Sequence, residues 1–254
     1  MHPTPFSALA DGPTLGVWLA EDQSRTEGLD PKTGCAFLAI RLAGAVGAEI
    51  GALALAGRPV PAIGPESVAV SGDMRRWSAG GQNGESRRYQ LHWLTQDQLE
   101  REEEGVFPNL ACALGRLFVP PVEGLARLGP FSPRGLWRLI ADALADAMLL
   151  AGESLGDARA GMAFAQRILT DPRTPLANGL TGFREVSAPL EDGTSRARWF
   201  RVRAACCRYY LLPGGTLCDT CVLHPEEEQI RLLCEHLKAN ETPADATRTG
   251  IAGN

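Results

Sequence analysis

Residues 206–221 read CCRYYLLPGGTLCDTC: two adjacent cysteines, ten intervening residues, then Cys-x-x-Cys. Thiolates are soft metal ligands, and a Cys-x-x-Cys knuckle can place both sulfurs on one ion. Pro213-Gly214-Gly215 is the kind of tight turn that returns the second pair to the first. Cys206, Cys207, Cys218 and Cys221 therefore form a candidate four-thiolate metal site. Cys35, Cys112 and Cys234 stand outside the pattern and read as small buried hydrophobes. Spacing leaves the metal open. A zinc ribbon pairs two knuckles, and here the first is replaced by adjacent cysteines. Adjacent side chains of an extended strand point to opposite faces, so Cys206 and Cys207 converge only if the backbone bends. A two-iron cluster is a wider target than one zinc ion and eases that geometry. A thioredoxin-like role for Cys218 and Cys221 lacks a surrounding βαβ pattern.

Arginines crowd this stretch although the chain is acidic: Arg196, Arg198, Arg201, Arg203 and Arg208. Cations beside an anionic metal centre favour its reduced form, and cations at its entrance attract an anionic substrate or an acidic electron donor. A solvated strand face is the plain alternative. Arg201, Arg203 and Arg208 are the candidates for contact with the centre or its substrate. By strand alternation Arg196 and Arg198 share one face, and Arg201 and Arg203 the other unless Trp199-Phe200 hosts a bulge. His224 reads as a helix-entry residue, His236 as an exposed helix position and His2 as part of a flexible end; with His92, none makes a convincing ligand. There is neither a G-x-G-x-x-G fingerprint nor a phosphate loop, so electrons from a nicotinamide cofactor would arrive through another protein.

The elements that must position these residues divide into a mainly helical part, residues 1–180, and a second part, residues 181–240, followed by an apolar-poor tail at 241–254 that reads as disordered. Residues 35–56 form a long apolar run interrupted by Arg41 and Glu49, which reads as a buried helix rather than a membrane span; Gly44, Gly47 and Gly51 would let a neighbour approach closely. Residues 57–84, rich in Pro and Gly, predict turns with short extended pieces. Thr95 and Gln98 form a capping-box pattern for a short helix running into Glu100, Glu102, Glu103 and Glu104, an acidic run that reads as a solvated face. Asn109 starts a helix that Pro120-Pro121 should stop, Ser132-Pro133 starts another with an apolar face from Leu136 to Ala151, and Asp157 starts a third ending at Asp171-Pro172. Residues 183–188 and 196–203 predict strands around Asp192-Gly193, and 208–212 a further extended run. Pro225 opens a last helix with Ile230, Leu233, Cys234 and Leu237 on its buried stripe. The fold class is α+β, with a small antiparallel sheet or hairpin carrying the cysteine loop.

With 254 residues, the chain can bury a core without disulfides or metal. Its 25 basic against 30 acidic residues exclude a general nucleic-acid binder. An odd number of unevenly placed cysteines and a start without basic and apolar leader regions point to reduced thiols in the cytoplasm, with a peripheral position at the inner membrane as a variant.

The run RAACCRYYLLPGGTLCDTC resembles the C-terminal signature of the FhuF-like siderophore-iron reductases; SPRGLWRLIADALADAM and LGDARAGMAFAQRIL resemble that family's helical region more loosely. Val222 stands where the signature would have proline. The resemblance implies a [2Fe–2S] cluster on Cys206, Cys207, Cys218 and Cys221, a ferric siderophore as substrate, and a protein electron donor of ferredoxin or flavin-reductase type. The implied activity is one-electron reduction of Fe(III), which releases iron without hydrolysing the ligand. Two other readings stand beside it: a non-enzymatic Fe–S or zinc protein with a structural or redox-responsive role, and a relative of the siderophore synthetases, against which the missing phosphate-binding signature counts.

Overall fold

The apolar run lies within helix α2 (Pro31–Leu55), which Asp30 opens by accepting hydrogen bonds from the backbone N–H groups of Lys32 and Thr33, with Pro31 in the first turn. The computed structural model describes residues 3–79, 82–101 and 107–239. By length and composition α2 could cross a membrane. In this fold Leu38, Leu42, Val46 and Ile50 instead join the main core. Arg41 is paired with Asp22 of helix α1 (Thr14–Arg25) at 3.1 Å.

Helix α4 (Pro133–Ser154), capped by Ser132, packs along α2. A Cβ on Gly47 would come within 2.9 Å of Ala147 Cβ, and one on Gly51 within 3.1 Å of Ala151 Cβ, so both glycines are needed for the close approach. Gly44 differs: a Cβ there meets nothing within 4 Å. Helices α3 (Leu110–Leu128) and α5 (Ala158–Leu169, capped by Asp157) complete the helical layer. Strand β1 (Thr4–Pro5) borders the antiparallel pair β2 (Val68–Ala79) and β3 (Gln82–Trp93), with Val68 and Val70 in the core. After α5 the chain forms the hairpin β4 (Gly182–Pro189) and β5 (Ser195–Val202), turned at Gly193, whose φ is +81°. Helix α6 (Glu226–Ala239) covers it, and Val186, Ala188, Phe200, Leu233 and Leu237 make a small core of their own. The α+β class and the antiparallel hairpin leading into the cysteine loop match the expectation.

Several local expectations are corrected. Residues 68–79 and 82–93 are long paired strands, not short pieces among turns; Gly72 and the mixed polar sequence dilute the alternation that would have marked them. Near the start of the described chain, Phe6–Leu9 is a 3-10 helix, followed by α1. The described residues 95–101 are not helical: the Thr95 hydroxyl accepts from the Asp97 backbone N–H, while Ala62 N–H donates to the Asp97 carbonyl and Leu99 N–H to the Val60 carbonyl, so the segment is held extended. Glu102, Glu103, Glu104, His2 and residues 241–254 lie outside the described residues. Pro120 and Pro121 do not stop α3, because Leu117, Phe118, Pro121, Val122 and Leu125 are all buried and their packing offsets the missing backbone donors. The run 208–212 is not extended: Tyr209–Leu211 is a 3-10 turn entered through Arg208 at φ +67°.

Candidate metal centre

The bend required of the adjacent cysteines lies immediately after them. Arg208 is the only non-glycine residue with positive φ among those described, and its backbone N–H donates to Cys206 Sγ at 3.3 Å. A left-handed residue costs roughly 1–2 kcal/mol. The hydrogen bonds its side chain makes help to offset that: Nε donates to Thr33 Oγ1 at 3.1 Å, and the guanidinium lies 3.7 Å from Asp30. The chain then returns through Gly214 at φ +73°, while a Cβ on Gly215 would collide with the Tyr209 carbonyl oxygen. The knuckle closes with Cys221 N–H donating to the Cys218 carbonyl at 2.8 Å. Gln229 of α6 donates to the Cys221 and His224 carbonyls at 3.1 and 3.2 Å, tying the knuckle to that helix.

These constraints bring all four thiols together as two pairs, Cys206 with Cys221 and Cys207 with Cys218, each 3.9 Å from sulfur to sulfur. Two sulfurs at a bond length of ~2.3 Å on one tetrahedral ion stand about 3.8 Å apart, so each pair has the span of one metal vertex. Two such pairs supply two sulfurs for each metal of a two-metal centre. Cys207 and Cys221 are buried; Leu29, Phe37 and Leu212 pack around Cys207 and shield that side. The donor set, its spacing and its partly dry surroundings fit a [2Fe–2S] cluster.

The thiols are electrostatically unequal. Cys207 is pushed far below the ordinary thiol range, first by hydrogen bonds from Cys206 and Cys218 and further by Arg203. Cys206 and Cys218 are pushed up by the same contacts and by burial. Crowded thiols cannot all lose their protons alone; a cation in their place relieves the conflict. Cys35 is buried and pushed up to about 12, chiefly by desolvation. Cys234 donates to the Ser187 carbonyl at 3.6 Å, on the hairpin face of α6.

The arginines separate. Arg203 is buried, and the charges holding its guanidinium strongly protonated against the cost of burial are first Cys207, then Cys218 and Asp142. Arg201 is also buried, donates to the Asp142 carbonyl at 3.0 Å and lies 3.5 Å from the Asp146 carboxylate. Arg198 makes a bidentate pair with Glu153 at 2.9 and 2.8 Å, and Arg196 donates to the Leu237 carbonyl. His236 packs edge-on against Phe200 and lies 3.8 Å from Asp219, so it is not the exposed position its sequence suggests. His92 pairs with Ser71 on the β2–β3 sheet.

Asp142 of α4 has no counterpart in the sequence reading. Its carboxylate accepts from Ala204 N–H, from Ala205 N–H at 3.1 Å and from Thr181 Oγ1 at 2.7 Å, anchoring the entry to the cysteine pair. The available signal was two carboxylates, Asp142 and Asp146, four residues apart in the otherwise apolar stretch 139–152 of α4.

Residues 203–223 match the family model described as the FhuF 2Fe–2S C-terminal domain. The match is short, but it spans all four clustered cysteines, supports the resemblance to FhuF-like siderophore-iron reductases and identifies the segment as 2Fe–2S-binding. Neither the curated proteins nor the solved structures contain a match.

Proposed function

We propose that this chain, whose FhuF-type segment carries a [2Fe–2S] cluster, is a ferric-siderophore reductase that holds the cluster on Cys206, Cys207, Cys218 and Cys221. The observation that carries the reading is the coincidence of that family match with four thiols gathered as two metal-sized pairs beside a buried arginine. When bound, the cluster supplies one electron at a time. The protein's residues set the conditions for that transfer. Arg203 keeps a cation where negative charge would be added, the Arg208 amide donates to Cys206, and Leu29, Phe37 and Leu212 keep water from one side. In the substrate, hard oxygen donors hold Fe(III) tightly and Fe(II) poorly, so one added electron loosens the metal without breaking a bond in the chelator. No general acid or nucleophile is required. The electron comes from a protein donor of ferredoxin or flavin-reductase type, and the reaction takes place in the cytoplasm.

The test is anaerobic mixing of chemically reduced protein with ferric chelates in the presence of a colour-forming Fe(II) trap, beside a Cys207→Ser/Cys218→Ser variant. Trapped Fe(II) with bleaching and return of the visible bands supports the reading. A colourless protein containing stoichiometric zinc would sink it.

A further inference from the structure

Helices α2 and α4 touch at Gly47 and Gly51, and alongside that contact, where a Cβ on Gly44 would meet nothing within 4 Å, lies a cavity of about 590 Å³. That volume lies within the range of small-molecule sites. Its α2 wall is mainly Gly44, Ala45, Ala48 and Ala52, small residues that leave the volume free. Beside Arg41 of α2 and Asp142 and Asp146 of α4, its polar groups come from two other places: Arg87, Arg88 and Tyr89 on β3, and Arg201 and Arg203 at and just after the end of β5. Arg203 is thus shared between the cavity and the cysteine site.

Most of these groups are fixed in place from behind. Arg87 is buried, lies over the Trp18 ring at 5.6 Å and binds Glu21 and Asp22 through Nη2. The Tyr89 ring packs on the same Trp18 at 5.1 Å. Yet Arg87 Nε, Tyr89 Oη, Arg201 Nε, and Arg203 Nε and Nη1 are buried without a hydrogen-bond partner. Buried donors left unpaired are uncommon and cost about 1–3 kcal/mol each. All five belong to residues that line one cavity, where a small side-chain movement would turn them toward a ligand rich in acceptors. The charge has a sign as well: five guanidinium groups line the cavity against the carboxyls of Asp142 and Asp146, and with Asp22 and Glu21 pairing Arg41 and Arg87 from behind, one positive charge remains in excess. Asp142 is already engaged by backbone amides and Thr181, and Asp146 lies beside Arg201. Arg88, at the exposed edge, has no ion pair among the described residues.

We propose that this cavity is the substrate site, and that it takes a compact anionic chelate whose metal is enclosed by carboxylate or catecholate oxygens. Tyr89 and Arg87 donate to those oxygens, and Arg203 stands between the bound chelate and the thiolates. The assignment rests on the reductase reading but is tested apart from it, because a gallium(III) chelate has the shape and charge of the ferric one and cannot be reduced under the same conditions.

The experiment is calorimetric titration of the cluster-loaded protein with a trianionic gallium(III) tricatecholate and with a neutral gallium(III) tris-hydroxamate. Three proteins are compared: wild type, Gly44→Phe, whose new side chain enters the cavity, and Tyr89→Phe, which loses only the hydroxyl. The expected result is that the trianion binds wild type at least tenfold more tightly than the neutral complex. Gly44→Phe should weaken it at least tenfold, and Tyr89→Phe about three- to tenfold, with the visible spectra of both variants unchanged. Equal affinity for the two complexes, or undiminished binding by both variants, overturns the assignment. If the cavity variants lose gallium binding while the wild type fails to release Fe(II) from ferric chelates, the site stands and the reductase reading falls. If Gly44→Phe reduces ferric chelates at the wild-type rate, the reductase reading stands and the cavity is not its substrate site.

Discussion

Asp142 and Ala204 are joined by two hydrogen bonds, from the Ala204 backbone N–H to Oδ1 at 2.9 Å and to Oδ2 at 3.0 Å. With Ala205 N–H on the same carboxylate, the residues just before the cysteine pair are fastened to the middle of α4. A helix buried in the main core therefore sets where the first two sulfurs begin.

Asp142→Ala removes the acceptor for two half-buried amides and the Thr181 hydroxyl, and should destabilise the protein by about 2–4 kcal/mol. Asp142→Asn keeps one acceptor oxygen and should fall between. Iron retention after desalting, followed by visible absorbance, should drop in the order wild type, Asn, Ala. Iron retention in Asp142→Ala equal to wild type would show that the loop holds its shape unaided.

Much of this arrangement could be read in the sequence. The four cysteines, the hairpin and helices α2, α4 and α5 all follow from local signals: spacing, Asp-Gly, a proline after a capping residue, and apolar periodicity. What escaped depends on contacts remote in sequence. Asp142 gains its role from residues sixty positions away, and Arg87 and Tyr89 gain theirs from Trp18 and α2. The bend at the cysteine pair could be anticipated as a need, but not located, since an arginine gives no sign that it will adopt φ +67°. The prolines of α3 misled because a helix end was inferred from backbone chemistry alone, without the packing that outweighs it.

Arg203→Gln should lower the reduction potential. Reduction adds an electron to an anionic centre, and removing a nearby cation makes that less favourable. Because Arg203 is buried, water screens it less than a surface charge, and an effect of roughly 1–3 kcal/mol is reasonable, or about 40–130 mV for one electron. Arg208 is partly exposed and paired with Asp30, so Arg208→Gln should shift the potential less. A spectroelectrochemical titration decides; equal potentials in wild type and Arg203→Gln would remove Arg203 from any electrostatic role.

The purified protein should be red-brown, with about two irons and two acid-labile sulfides per chain. Alanine at Cys35, Cys112 or Cys234 should leave that spectrum intact, since none of these thiols stands with the four. Cys35 should also resist alkylation at neutral pH, being buried and pushed up to about 12. Serine at any of the four clustered positions should lower the iron content. Loss of colour from Cys234→Ala alone would show that the ligand set is drawn wrongly.

Asp146 should make anion binding and stability depend on pH in a defined direction. Burial pushes its carboxyl above the ordinary value of 3.8; Arg201, Arg203 and Arg198 oppose the rise, and Glu153 adds to it. The other charged groups around the same cavity are Asp142, Arg41, Arg87 and Arg88, with Tyr89 held protonated by burial. A raised carboxyl binds its proton more tightly in the folded state. Its contribution to stability is therefore fully present below pH 3.8 and is lost as pH rises through the folded value. Asp146→Asn should accordingly raise the melting temperature near neutral pH, with the gain shrinking as the solution is acidified. Protonation also removes a negative charge from the cavity, so an anionic gallium(III) chelate that stays intact on acidification should bind wild type more tightly as pH falls through the folded value of this carboxyl. Asp146→Asn should bind it with a flatter pH profile. Parallel pH profiles for the two proteins would show that this carboxyl does not titrate against the ligand.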